Sequence, residues 1–174
     1  VICTPSDENE TRKLLSTAYF YNGPATVRYP RGTGPNKTIE KELKAFEIGK
    51  ANVVTDYGSK IVILNFGALL EEACSVAKDL QITLIDMRFV KPLDEELLKK
   101  YLTKADMFVS IEDGSVMGGA GSAVQEFCSR ENIEIKSVLF GIPDTFIEHA
   151  SRKEMLEEVG LTSKKIKSKI EDLL

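Results

Sequence analysis

The sequence of 174 residues has little cysteine and histidine, no excess of basic charge and no long hydrophobic run. Cys3, Cys74 and Cys128 are an odd number of cysteines at wide spacings, which fits neither a disulfide framework nor a zinc site and favours a reducing compartment. The 23 Lys+Arg against 27 Asp+Glu give a net charge of −4, so nucleic-acid binding is unfavourable. The longest apolar stretches, such as 61–64 and 82–85, are far shorter than the ~20 residues that cross a bilayer, which excludes a membrane-spanning helix.

The remaining composition is that of a folded protein with a core. Hydrophobic residues make up 43% and charged residues 29% of the chain, which is too apolar for a disordered segment. Residue 1 is Val, and no basic segment followed by an apolar one precedes the first predicted element, so neither a start methionine nor a secretory signal peptide is visible. We therefore expect an interior piece of a longer chain.

The first 32 residues read as the end of a domain. Residues 1–3 end a strand, the segment from Thr4 to Asp7 has the residues of a helix start, and we expect a helix over 6–19 and a strand over 25–29. Two strands and one helix do not bury a core alone, so the segment is expected to be the tail of an upstream domain. Gly, Pro and charged residues without an apolar period then predict a linker to about residue 46.

From residue 47 onwards, strand and helix patterns alternate. Strands are predicted at 52–55, 60–66, 82–87, 107–111 and 134–140, and helices at 68–80, 94–102, 120–129, from Ser151 to Gly160 and after Thr162. The 52–55 strand is expected to pair antiparallel through a tight turn at 56–58. Repeated β-α units require right-handed crossovers, so the fold class is α/β, a three-layer sandwich on a mostly parallel sheet.

The glycine-rich segment Met117 to Ser122 lies between a predicted strand and helix, where backbone N–H groups can hold a phosphate. It lacks both the dinucleotide fingerprint and the P-loop lysine, so we favour a structural role for Gly118 to Gly121. Glu112 and Asp113 follow the same strand and could act as acid and base, but a solvated or interface carboxylate pair is favoured. His149 is the only histidine and no nucleophile elbow is present, so we expect a loop residue that packs on a helix start.

Arginines occur in two further motifs. In Arg28-Tyr29-Pro30-Arg31-Gly32, two guanidiniums lie at the end of the predicted strand, with Pro fixing the turn and Gly permitting close approach. Binding of a planar anion such as phosphate and an interdomain salt bridge are both consistent with this motif. For Arg88 and Lys91, at the end of another strand, a structural ion-pair role is favoured.

These segments, in this order, resemble the end of the 1-deoxy-D-xylulose-5-phosphate synthases, thiamine-diphosphate enzymes of the transketolase superfamily. The resemblance covers nearly the whole chain and departs from it only between about Thr33 and Ala45. It is carried by Thr4-Pro5-Ser6-Asp7-Glu8-Asn9-Glu10, Gly23-Pro24-Ala25-Thr26-Val27-Arg28-Tyr29-Pro30-Arg31-Gly32, Ile63-Leu64-Asn65-Phe66-Gly67, Ile85-Asp86-Met87-Arg88-Phe89-Val90-Lys91-Pro92-Leu93-Asp94 and Met117-Gly118-Gly119-Ala120-Gly121-Ser122-Ala123-Val124.

The resemblance implies that residues 1–32 end the central pyrimidine-binding domain, 33–46 form a linker and 47–174 form the transketolase carboxyl-terminal domain. It implies a homodimer, in a bacterial cytoplasm or a plastid, that condenses pyruvate with glyceraldehyde 3-phosphate to 1-deoxy-D-xylulose 5-phosphate and carbon dioxide. Thiamine diphosphate and Mg²⁺ would be bound by motifs upstream of Val1, with none expected on this piece. Arg31 matches the arginine that binds the aldehyde's phosphate, which moves the interpretation of its motif toward function, with Arg28 as a structural neighbour.

Two alternatives remain at this point. One is the β subunit of a 2-oxoacid dehydrogenase, which shares the carboxyl-terminal fold. The other is a non-catalytic binding or regulatory α/β module of flavodoxin-like shape that begins near Phe46. Because the resemblance places the cofactor-binding motifs outside this sequence, the piece alone is expected to be catalytically inactive.

Overall fold

The computed structural model describes residues 1–174 as eight strands and six helices. The strands are β1 (Ile2–Cys3), β2 (Thr26–Val27), β3 (Asn52–Thr55), β4 (Ile61–Phe66), β5 (Thr83–Asp86), β6 (Phe89–Lys91), β7 (Met107–Ser115) and β8 (Lys136–Ile142). The helices are α1 (Glu8–Phe20), α2 (Leu70–Leu80), α3 (Glu95–Leu102), α4 (Ala120–Arg130), α5 (Arg152–Glu158) and α6 (Ser163–Glu171). None of these helices is long and apolar enough to cross a membrane.

The main sheet has five strands in the order β3-β5-β4-β7-β8. Strands β5, β4, β7 and β8 are parallel, and only the edge strand β3 is antiparallel to its neighbour. All six residues of β4 are buried, as expected for a central strand covered on both faces. Because successive side chains alternate between faces, Ile61 and Ile63 pack into one core while Val62, Leu64 and Phe66 pack into the other.

Helices cover both faces of this sheet. Helices α2 and α6 place their buried residues in the core on one side, where Leu156 and Val159 at α5 also pack. Helices α3 and α4 contribute to the core on the other side. The predicted three-layer α/β sandwich on a mostly parallel sheet is therefore confirmed.

The prediction that β3 pairs through a tight turn with the next strand is wrong. Strand β3 is antiparallel, but it pairs with β5, with Asn52 opposite Asp86, and does not form a hairpin with β4. The turn exists, since Gly58 has φ +64° and donates its N–H to Asp56 Oδ1 at 3.0 Å. Both edges of β4 are hydrogen-bonded, one to β5 and one to β7, so β3 pairs with the remaining edge of β5 instead.

The first 27 residues join the rest of the chain through a second, three-stranded sheet. Its order is β2-β1-β6, with β1 parallel to β2 and antiparallel to β6. Strand β6 was not among the predicted strands, and the strand predicted over 25–29 is shortened to β2. Cys3, Leu14 and Phe89 form a small core beneath this sheet. Because its burial penalises the thiolate, the pKa of Cys3 is raised to about 11.

Local signals explain where the helices begin and end. The first helix begins two residues later than predicted because Asp7 is its N-cap and accepts the Glu10 N–H at 2.8 Å. Asp94 caps α3, and Ser151 with Glu154 forms the predicted capping box of α5. Gly160 follows α5 at φ +81°, a left-handed conformation that glycine adopts without strain.

The segment predicted as a linker, 33–46, contains neither helix nor strand. It runs along α1, where the backbone N–H groups of Asn36 and Glu40 donate to side chains of that helix at 2.8 and 3.1 Å. Lys13 of α1 also pairs with Glu40 at 2.7 Å. The segment is therefore tied to the helix that precedes it.

Candidate anion-binding cleft

A cleft of about 730 Å³ opens beside the carboxyl end of β7, where the Arg28–Gly32 segment faces the chain that follows β8. Open α/β sheets commonly place their ligands outside the carboxyl ends of the strands. The lining residues are Arg28, Tyr29, Pro30, Arg31, Gly32, Asp113, Ile142, Ile147, His149, Ala150, Arg152, Met155, Leu156 and Val159. Distant parts of the sequence therefore meet here, among them Arg28, Arg31, Asp113 and His149, which are candidate site residues from the sequence.

Arg28 is held by an ion pair. Its Nη1 donates to Asp113 Oδ1 at 2.8 Å and to the Asp113 carbonyl at 3.3 Å, and its Nη2 donates to the Phe66 carbonyl at 3.5 Å. Asp113 is 11% exposed, so its carboxylate lies largely out of water between the two segments. Of the two functions considered for the arginine motif, Arg28 therefore has the salt bridge.

Arg31 differs from Arg28 in that it takes part in none of the ion pairs of the structure. Arg31 is exposed and lines the cleft, as do its neighbours Pro30 and Gly32. Gly32 has φ +140°, a backbone conformation that side chains other than glycine rarely adopt, so it sets the direction of the chain just after the arginine. The guanidinium of Arg31 is therefore free to bind an anion.

His149 and Arg152 line the wall of the cleft that follows β8. His149 lies in the loop shortly before α5, as predicted, and it is exposed and lines the cleft that contains Arg31. Arg152 is the first residue of α5, and its Nη2 lies 3.5 Å from Asp113 Oδ2. No sequence motif indicates that His149 and Arg152 share a cavity with the Arg28–Gly32 segment, because only the fold brings them together.

Glu112 does not form an acid–base pair with Asp113. Its carboxylate accepts the backbone N–H groups of Ala120 and Gly121, both at 3.0 Å, at the start of α4. It is 4% exposed, so the expectation of a solvated carboxylate is wrong for Glu112, whereas Asp113 is an interface carboxylate. Neighbouring residues of a strand point to opposite faces, which explains why the two carboxylates have different partners.

The glycine-rich turn is filled by protein groups. A Cβ at Gly119 would lie 2.6 Å from Glu112 Oε1, and one at Gly121 would meet the Ser110 hydroxyl. The negative charge of Glu112 already occupies the start of α4, where a phosphate would otherwise be stabilised by the free N–H groups. This arrangement supports the structural role that was favoured for Gly118 to Gly121.

Arg88 forms the ion pair expected of it. Its Nε and Nη2 donate to Glu10 at 2.8 and 2.9 Å, and its guanidinium stacks 4.1 Å from the ring centroid of Phe46. Lys91 is exposed and has no ion pair, so the same prediction is wrong for Lys91, which lies at the end of the short strand β6.

Sequence reasoning missed a buried polar network around Asp86. Its carboxylate accepts hydrogen bonds from Ser6 Oγ at 2.7 Å and Asn65 Nδ2 at 3.2 Å. Burial raises the pKa of Asp86 to about 7. The available signals were Asn65 within the otherwise apolar run of β4 and Asp86 at the end of β5.

The chain does not offer a metal centre. No group of three or more His, Cys, Asp or Glu side chains is arranged so that it could hold a metal ion. The cleft carries an excess of positive charge, which suits an anionic group and repels a cation such as Mg²⁺. The residues of this cleft therefore do not offer a set of ligands for Mg²⁺.

Comparisons with known proteins agree with the fold. The model of the transketolase C-terminal domain matches residues 49–166. A 1-deoxy-D-xylulose-5-phosphate synthase of Pseudomonas fluorescens (strain Pf0-1) is 54% identical over 175 aligned residues, which cover 100% of this chain and 27% of that protein. The synthase of Pseudomonas syringae pv. tomato is also 54% identical, with the same coverage of 100% and 27%. The chain thus spans little more than a quarter of the length of these relatives.

Two solved structures are similar to the chain. The inactive beta4 tetramer of a split-gene transketolase superposes with a TM-score of 0.80 at 29% identity, covering 98% of this chain and 56% of that one. The transketolase of Campylobacter jejuni has a TM-score of 0.66 at 17% identity, covering 98% and 26%, and it supports the fold alone. The chain therefore belongs to the transketolase C-terminal domain family, and it resembles part of the 1-deoxy-D-xylulose-5-phosphate synthases over its whole length.

Proposed function

We propose that this chain is part of a thiamine-diphosphate-dependent synthase that condenses pyruvate with glyceraldehyde 3-phosphate to 1-deoxy-D-xylulose 5-phosphate and carbon dioxide. Its specific contribution is to bind the phosphate of the aldehyde through Arg31. The observation that carries this assignment is the unpaired Arg31 guanidinium in a cleft whose charged lining, three arginines and one aspartate, leaves an excess of two positive charges.

The two arginines of the motif have different tasks in this proposal. Asp113 neutralises Arg28 and fixes it against the end of β7, so Arg28 sets the position of the segment. Arg31 has no internal carboxylate and keeps its full charge for a ligand. A guanidinium presents parallel N–H donors that match two oxygens of a phosphate. A hydrogen bond between two charged groups is also stronger than one between neutral groups.

The domain boundaries follow the family resemblance. We assign residues 1–32 to the end of the pyrimidine-binding domain, 33–46 to the linker and 47–174 to the carboxyl-terminal domain. We assign thiamine diphosphate and Mg²⁺ to parts of the synthase outside this chain, because the cleft is positively charged and no metal-binding cluster is present. Thiamine diphosphate would supply the chemistry of two-carbon transfer, and Arg31 of this chain would position the acceptor aldehyde through its phosphate.

The relatives support the synthase over the two alternatives, a 2-oxoacid dehydrogenase β subunit and a non-catalytic module. Two of them, with 54% identity across the whole chain, are 1-deoxy-D-xylulose-5-phosphate synthases. We further assign a homodimeric assembly to the synthase. The bacterial relatives and three unpaired cysteines support a cytoplasmic location.

Steady-state kinetics of the intact synthase with Arg31→Ala, varying each substrate in turn, test this assignment. Because a hydrogen bond to a charged group contributes about 1.5–3 kcal/mol, kcat/KM for glyceraldehyde 3-phosphate should fall roughly 10- to 150-fold. The KM for pyruvate should stay unchanged, since pyruvate carries no phosphate. Arg130→Ala is the matched control, because Arg130 is an exposed arginine at the end of α4 outside the cleft.

Equal losses for both substrates, together with a lower melting temperature, would assign Arg31 a structural role and contradict the proposal. Activity with both substrates that matches wild type would contradict it as well.

A further inference from the structure

We propose that Arg152 is a second phosphate-binding residue in the cleft that Arg31 lines, and that Asp113 holds it ready in the absence of substrate. This inference rests on the proposed function and adds a group to it. Nothing in the resemblance to the synthase family assigned a role to Arg152. The inference depends on three features of the cleft: the fixed start of α5, the shared carboxylate of Asp113 and the balance of charge.

The backbone position of Arg152 is fixed by the start of its helix. Arg152 directly follows Ser151, whose backbone N–H donates to the Glu154 carboxylate at 3.0 Å while its side chain accepts the Glu154 N–H at 3.4 Å. This reciprocal capping box defines where the first turn of α5 begins. Leu156, one turn further, packs on the core of the main sheet. The guanidinium of Arg152 is therefore carried by an anchored helix on the wall that faces the Arg28–Gly32 segment.

The carboxylate of Asp113 is shared unequally between two arginines. It lies 2.8 Å from Arg28 Nη1 and 3.5 Å from Arg152 Nη2. Arg28 also donates to two backbone carbonyls, so its guanidinium is held at several points. The guanidinium of Arg152, in contrast, is held by its longer contact to Asp113. The Arg152 side chain is 42% exposed. Arg152 can therefore turn to an anion in the cleft while Arg28 continues to neutralise Asp113.

The charge balance fits one class of ligand. With Arg28 paired to Asp113, two cationic side chains, Arg31 and Arg152, remain for a ligand. A phosphate monoester carries a charge of about −1.5 to −2 near neutral pH, because its second pKa is about 6. Two guanidiniums that line the same cleft thus match the charge of the phosphate of a phosphorylated aldehyde. A carboxylate, with a single charge, would leave one of them uncompensated.

The test compares phosphorylated and unphosphorylated aldehydes in the intact synthase. The measured quantity is the ratio of kcat/KM for glyceraldehyde 3-phosphate to kcat/KM for D-glyceraldehyde, for wild type, Arg152→Gln and Arg152→Lys. The ratio should fall about tenfold or more in Arg152→Gln, since one charge-assisted contact to the phosphate is lost. Arg152→Lys keeps the charge and should recover part of the ratio.

Lys153→Gln is the matched control, because Lys153 is the next residue of α5, is exposed and does not line the cleft. It should leave the ratio unchanged. If Arg31→Ala lowers the ratio and Arg152→Gln does not, the inference on Arg152 is overturned while the proposed function stands. If neither substitution lowers the ratio, the proposed function fails as well. If Arg152→Gln reduces the activity with both aldehydes equally, Arg152 is structural and the inference is overturned.

Discussion

Asp86 is a buried carboxyl at the junction between the first residues and the main sheet. It accepts hydrogen bonds from Ser6 and Asn65, and the charges of Glu10 and Arg88 lie near it with opposite effects on its pKa. Loss of solvation is the main cause that raises its pKa from 3.8 to about 7, because burial disfavours the ionised form. The folded protein therefore holds a proton on Asp86 at pH values where the unfolded chain has released it.

The contribution of Asp86 to the free energy of unfolding should therefore fall as the pH rises from about 4 to 7 and level off above this range. Between these values the folded state binds more protons than the unfolded state, which gives the slope a negative sign. The loss is on the order of 4 kcal/mol at most, since one pKa unit corresponds to about 1.4 kcal/mol. Urea denaturation of wild type and Asp86→Asn between pH 4 and 8 measures it.

Asp86→Asn should reduce this loss of stability, because the replacement amide does not ionise. Asp106→Asn, a change at an exposed aspartate, is the control and should keep the wild-type pH profile. The same pH profile in Asp86→Asn as in wild type would show that Asp86 does not titrate in this range.

Single residues were predictable from sequence where a motif carried the chemistry. The Arg28–Gly32 motif predicts an anion site or a salt bridge; Arg28 forms the salt bridge, and anion binding is the role we propose for Arg31. The partner of Arg28 was not predictable, because Asp113 lies 85 residues away and only the fold brings them together. For the same reason, Arg152 was identified only as part of a capping box.

Among the elements, α4 has an unusual N-terminus. Gly119 at its N-cap has no side chain to accept a hydrogen bond, and Glu112 from β7 supplies the acceptor instead, at 3.0 Å from two backbone N–H groups. The start of a helix leaves unpaired N–H groups and a partial positive charge, so a buried carboxylate stabilises it in both respects. The helix start and the strand that carries Asp113 are thereby held together.

Glu112→Ala should lower the free energy of unfolding by about 2–4 kcal/mol, because it removes two charge-assisted hydrogen bonds and leaves buried N–H groups without partners. Chemical denaturation at neutral pH measures the change. Glu126→Ala, at an exposed position of the same helix, is the control and should change stability by less than about 0.5 kcal/mol. A change as small in Glu112→Ala as in the control would contradict the role of Glu112 as the cap of α4.

Helices and central strands could be predicted because their signals are local. The apolar period of α2, the capping residues of α3 and α5 and the apolar run of β4 all mark elements that the structure contains. The pairing of β3 and the existence of β6 could not be predicted, because both depend on which strand edges are not already hydrogen-bonded to another strand. Strand β6 is three residues long and is defined by its pairing with β1, far earlier in the chain.

In the whole molecule, the first 32 residues are attached to the rest of the chain at several points. Strand β1 pairs with β6, Ser6 donates to Asp86, Glu10 pairs with Arg88 and Arg28 pairs with Asp113. The Glu10–Arg88 pair has both side chains at most 15% exposed, so it is shielded more than a surface ion pair. Arg31 therefore belongs to a segment that is fixed against the domain whose residues form the other wall of the cleft.

The purified chain should release no carbon dioxide from pyruvate in the presence of thiamine diphosphate and Mg²⁺. The proposal assigns cofactor binding to other parts of the synthase, and cofactor chemistry depends on a protein that binds and orients the cofactor. A coupled carbon dioxide assay measures this, with the intact synthase as positive control. Cofactor-dependent release above the blank by the 174-residue chain would contradict the assignment.

The most direct test of the central claim, that Arg31 binds a phosphate monoester in this cleft, is an NMR titration of the chain with glycerol 3-phosphate. His149 is the only histidine and lines the cleft, so its ring proton resonances report binding there without assignment of the whole spectrum. We expect a saturable shift in wild type, at least about tenfold weaker binding in Arg31→Ala, and no shift with glycerol. An absent shift in wild type, or equal binding by wild type and Arg31→Ala, would contradict it.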